Sequence, residues 1–303
     1  MMQSLIPLYC LTGFVGAGKT TALMTILREN PDKKIGVIFT EPAEYLKEKD
    51  TDLEQLPNGS VKCICEEEAL PRALTRMQEQ QPDMVFIEIS GLSDPVRIKR
   101  ILDRPQNRAV LEHYDQRRTI CLVDADNFME QIRDVKMVEH QLCHCHLAVI
   151  NKADLVSPEL LTALRAQIHR VNPECEIASC SFGGFSLELL SHEMNISESD
   201  EECSGDIQNP DSIVINCVHR LETEKVLAFI DLFKEETYRI KGFCLFENGW
   251  NQIDVVGSRV SLSPCMPHSS SRLIFISKIG HALSQPLTER WREIISLPMQ
   301  LHD

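Results

Sequence analysis

The chain has 303 residues, enough for roughly two domains, and its 43% hydrophobic and 25% charged residues are ordinary for a globular protein. A formal net charge of -14 disfavours a nucleic-acid duplex or an anionic membrane as partner, and any anionic ligand must be held by a local positive site. No stretch reaches the about 18 uninterrupted apolar residues of a transmembrane helix. Met1–Cys10 has neither the basic start nor the apolar core of a signal peptide, so a cytoplasmic protein is expected. In that reducing setting the twelve cysteines read as free thiols or metal ligands rather than disulfides.

In chain order, Leu5–Leu11 is predicted as a strand and Thr20–Arg28 as a helix. Lys34–Thr40 follows as a strand, Ala69–Gln80 as a helix, and Met84–Ser90 and Thr119–Asp124 as strands. Ala125–Gln141 is predicted helical, Leu147–Asn151 a strand, Pro158–Arg170 a helix and Glu176–Ser179 a short strand. Strands separated by helices imply a mostly parallel sheet flanked by helices, an α/β domain over residues 1–190. Glu188–Asp211 then carries eight carboxylates and no Lys or Arg; such a stretch cannot bury a core, and residues 191–211 read as an acidic linker. Over residues 212–303, Ser212–His219 is a strand, Thr223–Glu236 a helix, and Arg239–Glu247, Trp250–Gly257, Arg259–Ser263 and Arg272–Lys278 are strands. Leu283–Ser296 closes this smaller α+β domain as a helix.

Gly13-Phe14-Val15-Gly16-Ala17-Gly18-Lys19-Thr20 lies between the first strand and the first helix and matches the phosphate-binding loop pattern G-x-x-x-x-G-K-[ST]. Its glycines let successive N–H groups turn toward phosphate oxygens, and the helix start adds partial positive charge. Gly13, Gly16, Ala17, Gly18, Lys19, Thr20 and Thr21 are therefore expected to bind the phosphates, with Lys19 at the β- and γ-phosphates and Thr20 on Mg²⁺. Glu88 ends an apolar strand, where open α/β sheets present ligand-binding groups. It is expected near the Mg²⁺, through water or by orienting the attacking water, and Gly91 is expected to offer an N–H to the γ-phosphate. Lys19, Glu88 and Gly91 form the expected catalytic set.

Asn151-Lys152-Ala153-Asp154 ends a later apolar strand. A carboxylate at Asp154 can accept from the ring N–H and 2-amino group of guanine, whereas adenine offers it an acceptor; Lys152 can lay its stem along the base. Guanine nucleotide, as GTP or GDP, is the expected ligand, with Asn151 and Asp154 on the guanine.

Several of these blocks resemble the CobW family of P-loop GTPases: Thr12 to Thr21, Glu88-Ile89-Ser90-Gly91-Leu92-Ser93-Asp94-Pro95, Val123-Asp124-Ala125 and Asn151 to Leu155. Tyr238-Arg239-Ile240-Lys241-Gly242-Phe243 resembles the R-x-K-G-F segment of the CobW C-terminal domain. The resemblance implies a slow GTPase that couples nucleotide state to delivery of Zn²⁺, Co²⁺ or Ni²⁺, or to metallocofactor assembly. The implied partner is a client metalloprotein or cofactor-assembly enzyme, and homodimerisation is left open.

The family carries a Cys-x-Cys-Cys motif where this chain has Cys63-Ile64-Cys65-Glu66. Two thiolates and one carboxylate can still serve one transition-metal ion, so Cys63, Cys65 and Glu66 are the expected metal ligands. The family's Asn-Glu-Phe-Gly-Glu stretch appears as Thr40-Glu41-Pro42-Ala43-Glu44, which keeps both acids. A second group, His140, Cys143 and His144, shares one face if helical, though these residues can equally serve packing. Other classes stay open: a metal-independent GTPase switch for a corrinoid or other client enzyme, a small-molecule kinase, or a scaffold that keeps nucleotide for stability.

Overall fold

Apolar runs without polar interruption become strands covered on both faces. In the computed structural model, which describes residues 5–40, 53–190 and 210–302, Ile35–Thr40, Met84–Glu88 and Leu147–Asn151 are such strands, almost wholly buried. The chain divides into two units, Met1–Gln208 and Asn209–Asp303.

The first unit contains strands β1 (Ile6–Thr12), β2 (Ile35–Thr40), β3 (Glu54–Gln55), β4 (Val61–Cys65), β5 (Met84–Glu88), β6 (Tyr114–Asp124), β7 (Leu147–Asn151) and β8 (Glu176–Ser179). Its helices are α1 (Lys19–Glu29), α2 (Leu70–Glu79), α3 (Pro95–Leu102), α4 (Arg108–Leu111), α5 (Phe128–Asp134), α6 (Lys136–Cys143) and α7 (Pro158–Val171). The sheet order is β3-β4-β2-β5-β1-β6-β7-β8. Only the short edge strand β3 is antiparallel to its neighbour. β1 is central, with β2–β5 on one side and β6–β8 on the other, so the loops after β1, β5, β6 and β7 open at the same sheet end. One core cluster joins Ile38, Cys63, Cys65, Leu70, Leu74, Ile87 and Ile98. Another joins Leu11, Ala22, Leu23, Ile26, Phe86, Leu122 and Val149.

Three local expectations are corrected. The single helix over 125–141 is two helices, α5 and α6, broken at Val135, whose backbone is extended (φ -125°, ψ 101°). β6 begins five residues before the predicted Thr119: Tyr114, Asp115 and Gln116 already pair with β1, beyond a register shift between Leu8 and Cys10 that hides the continuity from the sequence pattern. Lys62–Glu66, read only as a motif, contributes to strand β4, whose alternation buries Val61, Cys63 and Cys65.

The second unit holds β9 (Ser212–Cys217), α8 (Thr223–Asp231), β10 (Thr237–Phe246), β11 (Gly249–Val256), β12 (Arg259–Pro264), β13 (Ser271–Ser277), α9 (Ser284–Ile294) and β14 (Gln300–His302). Its antiparallel sheet runs β12-β11-β10-β13-β9-β14. Period-2 burial in β9 and β10 supplies one apolar face, against which α8 and α9 pack. Phe229 is the hub: it meets Trp291 edge-on at 5.3 Å and Phe275 at 6.1 Å between centroids, while Trp291 Nε1 donates to the Leu297 carbonyl at 2.8 Å. Among the described residues no helix is long and apolar enough to cross a membrane.

Candidate functional site

The loop between β1 and α1 curls because its glycines take backbone angles that other residues resist. Gly13, Gly16 and Gly18 have φ of 130°, 86° and 96°. At Gly18 the turn also admits a neighbour: a Cβ there would lie 2.3 Å from the Asn151 amide nitrogen. Lys19 is buried beside the loop and donates from Nζ to the carbonyls of Gly13 at 2.7 Å and Phe14 at 3.4 Å. Thr20 and Thr21 are exposed at the start of α1.

Glu88 ends β5, which pairs with β1 one step from the loop, Leu11 opposite Glu88. Thr20 Oγ1 donates to Glu88 Oε1 at 2.8 Å. Hydroxyl and carboxylate, both hard oxygen donors, thus meet at the end of the phosphate loop, a donor pair that suits Mg²⁺. Beyond Glu88, the Ser90 N–H donates to the Thr40 hydroxyl at 3.2 Å, and Gly91 packs against Val15. Asp94 caps α3 by accepting from the Val96 N–H at 2.8 Å. Burial pushes its carboxyl up, but His140 and that N–H outweigh burial and hold it below the ordinary carboxylate value.

The Asn151–Asp154 turn is tied to the phosphate loop through Asn151. Asn151 Nδ2 donates to the Ala17 carbonyl at 2.9 Å, and its Oδ1 accepts from the Gly183 N–H at 3.0 Å and faces Cys180 Sγ at 3.5 Å. Asn151 was expected on guanine, but its amide is occupied by protein partners, so it braces two loops. Lys152 adopts a left-handed backbone (φ 60°), and its Nζ donates to Asp124 Oδ2 at 2.6 Å. Asp124 is fully buried and also accepts from the Asp126 N–H and the Asn127 amide. Asp154 is exposed in the short helical turn that follows.

The structure thus brings together Gly13, Gly16, Ala17, Gly18, Lys19, Thr20, Glu88, Gly91 and Asn151, with Lys152 and Asp154 in the adjoining turn. Sequence reasoning gave Asp124 no role beyond its place in a resemblance. Its signal was an acid ending a buried strand, as Glu88 does, in register with Asn151. The Cys180–Gly183 loop carried no such signal.

The expected transition-metal ligands are placed differently. Cys63 and Cys65 lie on one buried face of β4, whereas Glu66 is exposed. A hydrogen bond with Cys63, together with burial, drives the Cys65 thiol far above its ordinary value. His140 and His144 meet edge-on at 4.5 Å between ring centroids. Among the described residues no group of three or more His, Cys, Asp or Glu is arranged to hold a metal ion. Glu41 and Glu44 lie outside the described residues.

A parallel sheet with a glycine loop feeding α1, a Thr–carboxylate pair at its end and an Asn-Lys-x-Asp turn two strands away defines a P-loop nucleotide-binding protein. The sequence model of the family described as CobW/HypB/UreG, nucleotide-binding domain, matches residues 7–179. The chain belongs to that family. It is 25% identical over 241 residues to the zinc-regulated GTPase metalloprotein activator 1 of Schizosaccharomyces pombe, a match covering 72% of this chain and 57% of that protein. It is 30% identical over 167 residues to the zinc chaperone YeiR of Escherichia coli, covering 51% of this chain and 49% of that one. The chain spans about half the length of the curated relatives it matches. The crystal structure of the Zn(II)-bound YjiA GTPase from E. coli shares the fold, with a TM-score of 0.52 at 22% identity over 96% of this chain and 99% of that one.

Proposed function

We propose that this chain is a slow, GTP-hydrolysing metallochaperone in the cytoplasm that couples nucleotide state to delivery of a transition metal, Zn²⁺ before Co²⁺ or Ni²⁺. The observation that carries this reading is the Asn151 brace, which joins the phosphate loop to the base-reading turn in one site. The preference for Zn²⁺ is supported by the relatives, which are a zinc chaperone and a zinc-regulated activator.

In this reading the phosphates lie along Gly13–Thr21, and Lys19 trades its Phe14 carbonyl contact for phosphate oxygens. Thr20 and Glu88 would hold Mg²⁺, which neutralises charge at the β- and γ-phosphates. Asp154 reads guanine, and Lys152, steadied by Asp124, covers the base. Cys63 and Cys65 serve the cargo metal. β4 pairs with β2 so that Cys65 sits opposite Thr40, where the chain enters the stretch bearing Glu41 and Glu44. Those acids are the proposed source of further ligands, with Glu66. A division into residues 1–190, an acidic linker 191–211 and residues 212–303, the last docking a client metalloprotein or cofactor-assembly enzyme, belongs to the same proposal.

The burial of Cys63 and Cys65 in a core cluster favours one other reading, a metal-independent GTPase switch. One titration separates the two. Reduced protein is titrated with Zn²⁺, Co²⁺ and Ni²⁺ against a chromophoric chelator, without nucleotide, with GDP, and with a non-hydrolysable GTP analogue. Affinity that depends on nucleotide and falls in C63S and C65S supports the metallochaperone. Weak, nucleotide-blind metal binding beside intact GTP turnover supports the switch. An Asp154→Asn variant that keeps its preference for guanine over adenine would overturn the assignment of the base reader.

A further inference from the structure

We propose that Gln141 is a positioning residue: it holds the Gly91 segment against the phosphate loop and thereby sets the preference for nucleoside triphosphate over diphosphate. This rests on the proposed binding of GTP.

Gln141 is fully buried on α6. Its Nε2 donates to the Gly91 carbonyl at 3.2 Å and to the Ser93 carbonyl at 3.3 Å. Two carbonyls can be served only by the NH₂ end of the amide, so the side-chain orientation is decided by its partners. The preceding residue stands at the far end of the same segment: His140 Nδ1 lies 3.2 Å from Asp94 Oδ1, and Asp94 caps α3. Consecutive residues of one helix therefore span Gly91 to Asp94.

The opposite side of the segment is equally constrained. A Cβ on Gly91 would come within 2.8 Å of the Val15 nitrogen and 3.0 Å of its Cα. Backbone packs on backbone there, and the segment is clamped between the phosphate loop and α6. With its carbonyl held by Gln141 and its Cα packed on Val15, Gly91 is fixed beside the phosphate loop, where its N–H is expected to meet a terminal phosphate. A segment so held can distinguish a nucleotide with a terminal phosphate from one without. Releasing it should weaken the triphosphate complex and leave the diphosphate complex, held by the loop and base turn, intact.

The test compares Q141E, Q141N and wild type for affinity toward a non-hydrolysable GTP analogue and toward GDP, both with Mg²⁺, alongside thermal midpoints. Q141E keeps the size and places an acceptor against two carbonyls; Q141N keeps the amide on a shorter stem and serves if Q141E does not fold. The expected result is about tenfold weaker analogue binding with GDP affinity within about twofold of wild type. Equal loss of both affinities, or no change in their ratio, overturns the proposal while the GTPase reading stands. Wild-type protein that binds neither nucleotide overturns the reading and the proposal together.

Discussion

Thr20 Oγ1 donates to Glu88 Oε1 at 2.8 Å across 68 residues of sequence, from the start of α1 to the end of β5. The contact joins two groups that the site reading assigns to one Mg²⁺. Glu88→Gln keeps an acceptor for Thr20 but removes the charge. Turnover of GTP should fall by about 100-fold, with GDP affinity measured in EDTA nearly unchanged. Steady-state phosphate release and nucleotide binding by fluorescence check both halves.

Gly18→Ala should abolish nucleotide binding and lower stability by about 1–3 kcal/mol. Two causes act together: the φ of 96° disfavours any L side chain, and the new Cβ would press on the Asn151 amide that braces the site. Chemical denaturation and equilibrium binding measure the two effects. Unchanged binding would show that the brace has no part in the site.

Asp124 is fully buried and Lys152 largely so, their charged atoms 2.6 Å apart. Asp124→Asn removes the charge at nearly constant shape and leaves Lys152 without its counter-ion. Stability should fall by about 1–3 kcal/mol, and guanine-nucleotide affinity by about tenfold because Lys152 is no longer steadied. Urea unfolding and GDP binding test this.

Burial pushes the Cys10 thiol up to about 12, the Cys180 thiol to about 11 and the Cys244 thiol to about 12, against an ordinary 9.0. A folded-state value raised above the unfolded one favours folding while the thiol is protonated, and that advantage is lost as pH rises. Reduced protein should therefore lose stability from about pH 9 up to about pH 11 through Cys180 and about pH 12 through Cys10 and Cys244, each thiol adding up to about 1.4 kcal/mol per pH unit. Denaturation midpoints from pH 7 to pH 11 give the slope. Peptide mapping after brief iodoacetamide treatment at pH 8 should find these three thiols largely unlabelled.

Much of this protein was legible along the chain because the deciding interactions are local. The apolar runs at Ile35–Thr40, Met84–Glu88 and Leu147–Asn151 are strands on their own composition, and Gly13–Thr20 is a phosphate loop by the spacing of its glycines. Asn151 to Asp154 reads as a guanine turn for the same reason. What depends on strand order and register was not legible. Asn151 reaches Ala17 across 134 residues because β7 and β1 flank β6 in the sheet, which makes it a brace. Asp124 acquires its role from standing opposite Asn151, and Gln141 from the break at Val135 that sets α6 apart from α5. Cys63 and Cys65 look like open ligands in a motif, yet pairing of β4 with β2 buries them on one face. Local sequence specifies chemistry and conformation within a few residues; which groups meet across the sheet follows from packing, where partners are chosen by topology rather than by neighbourhood in the chain.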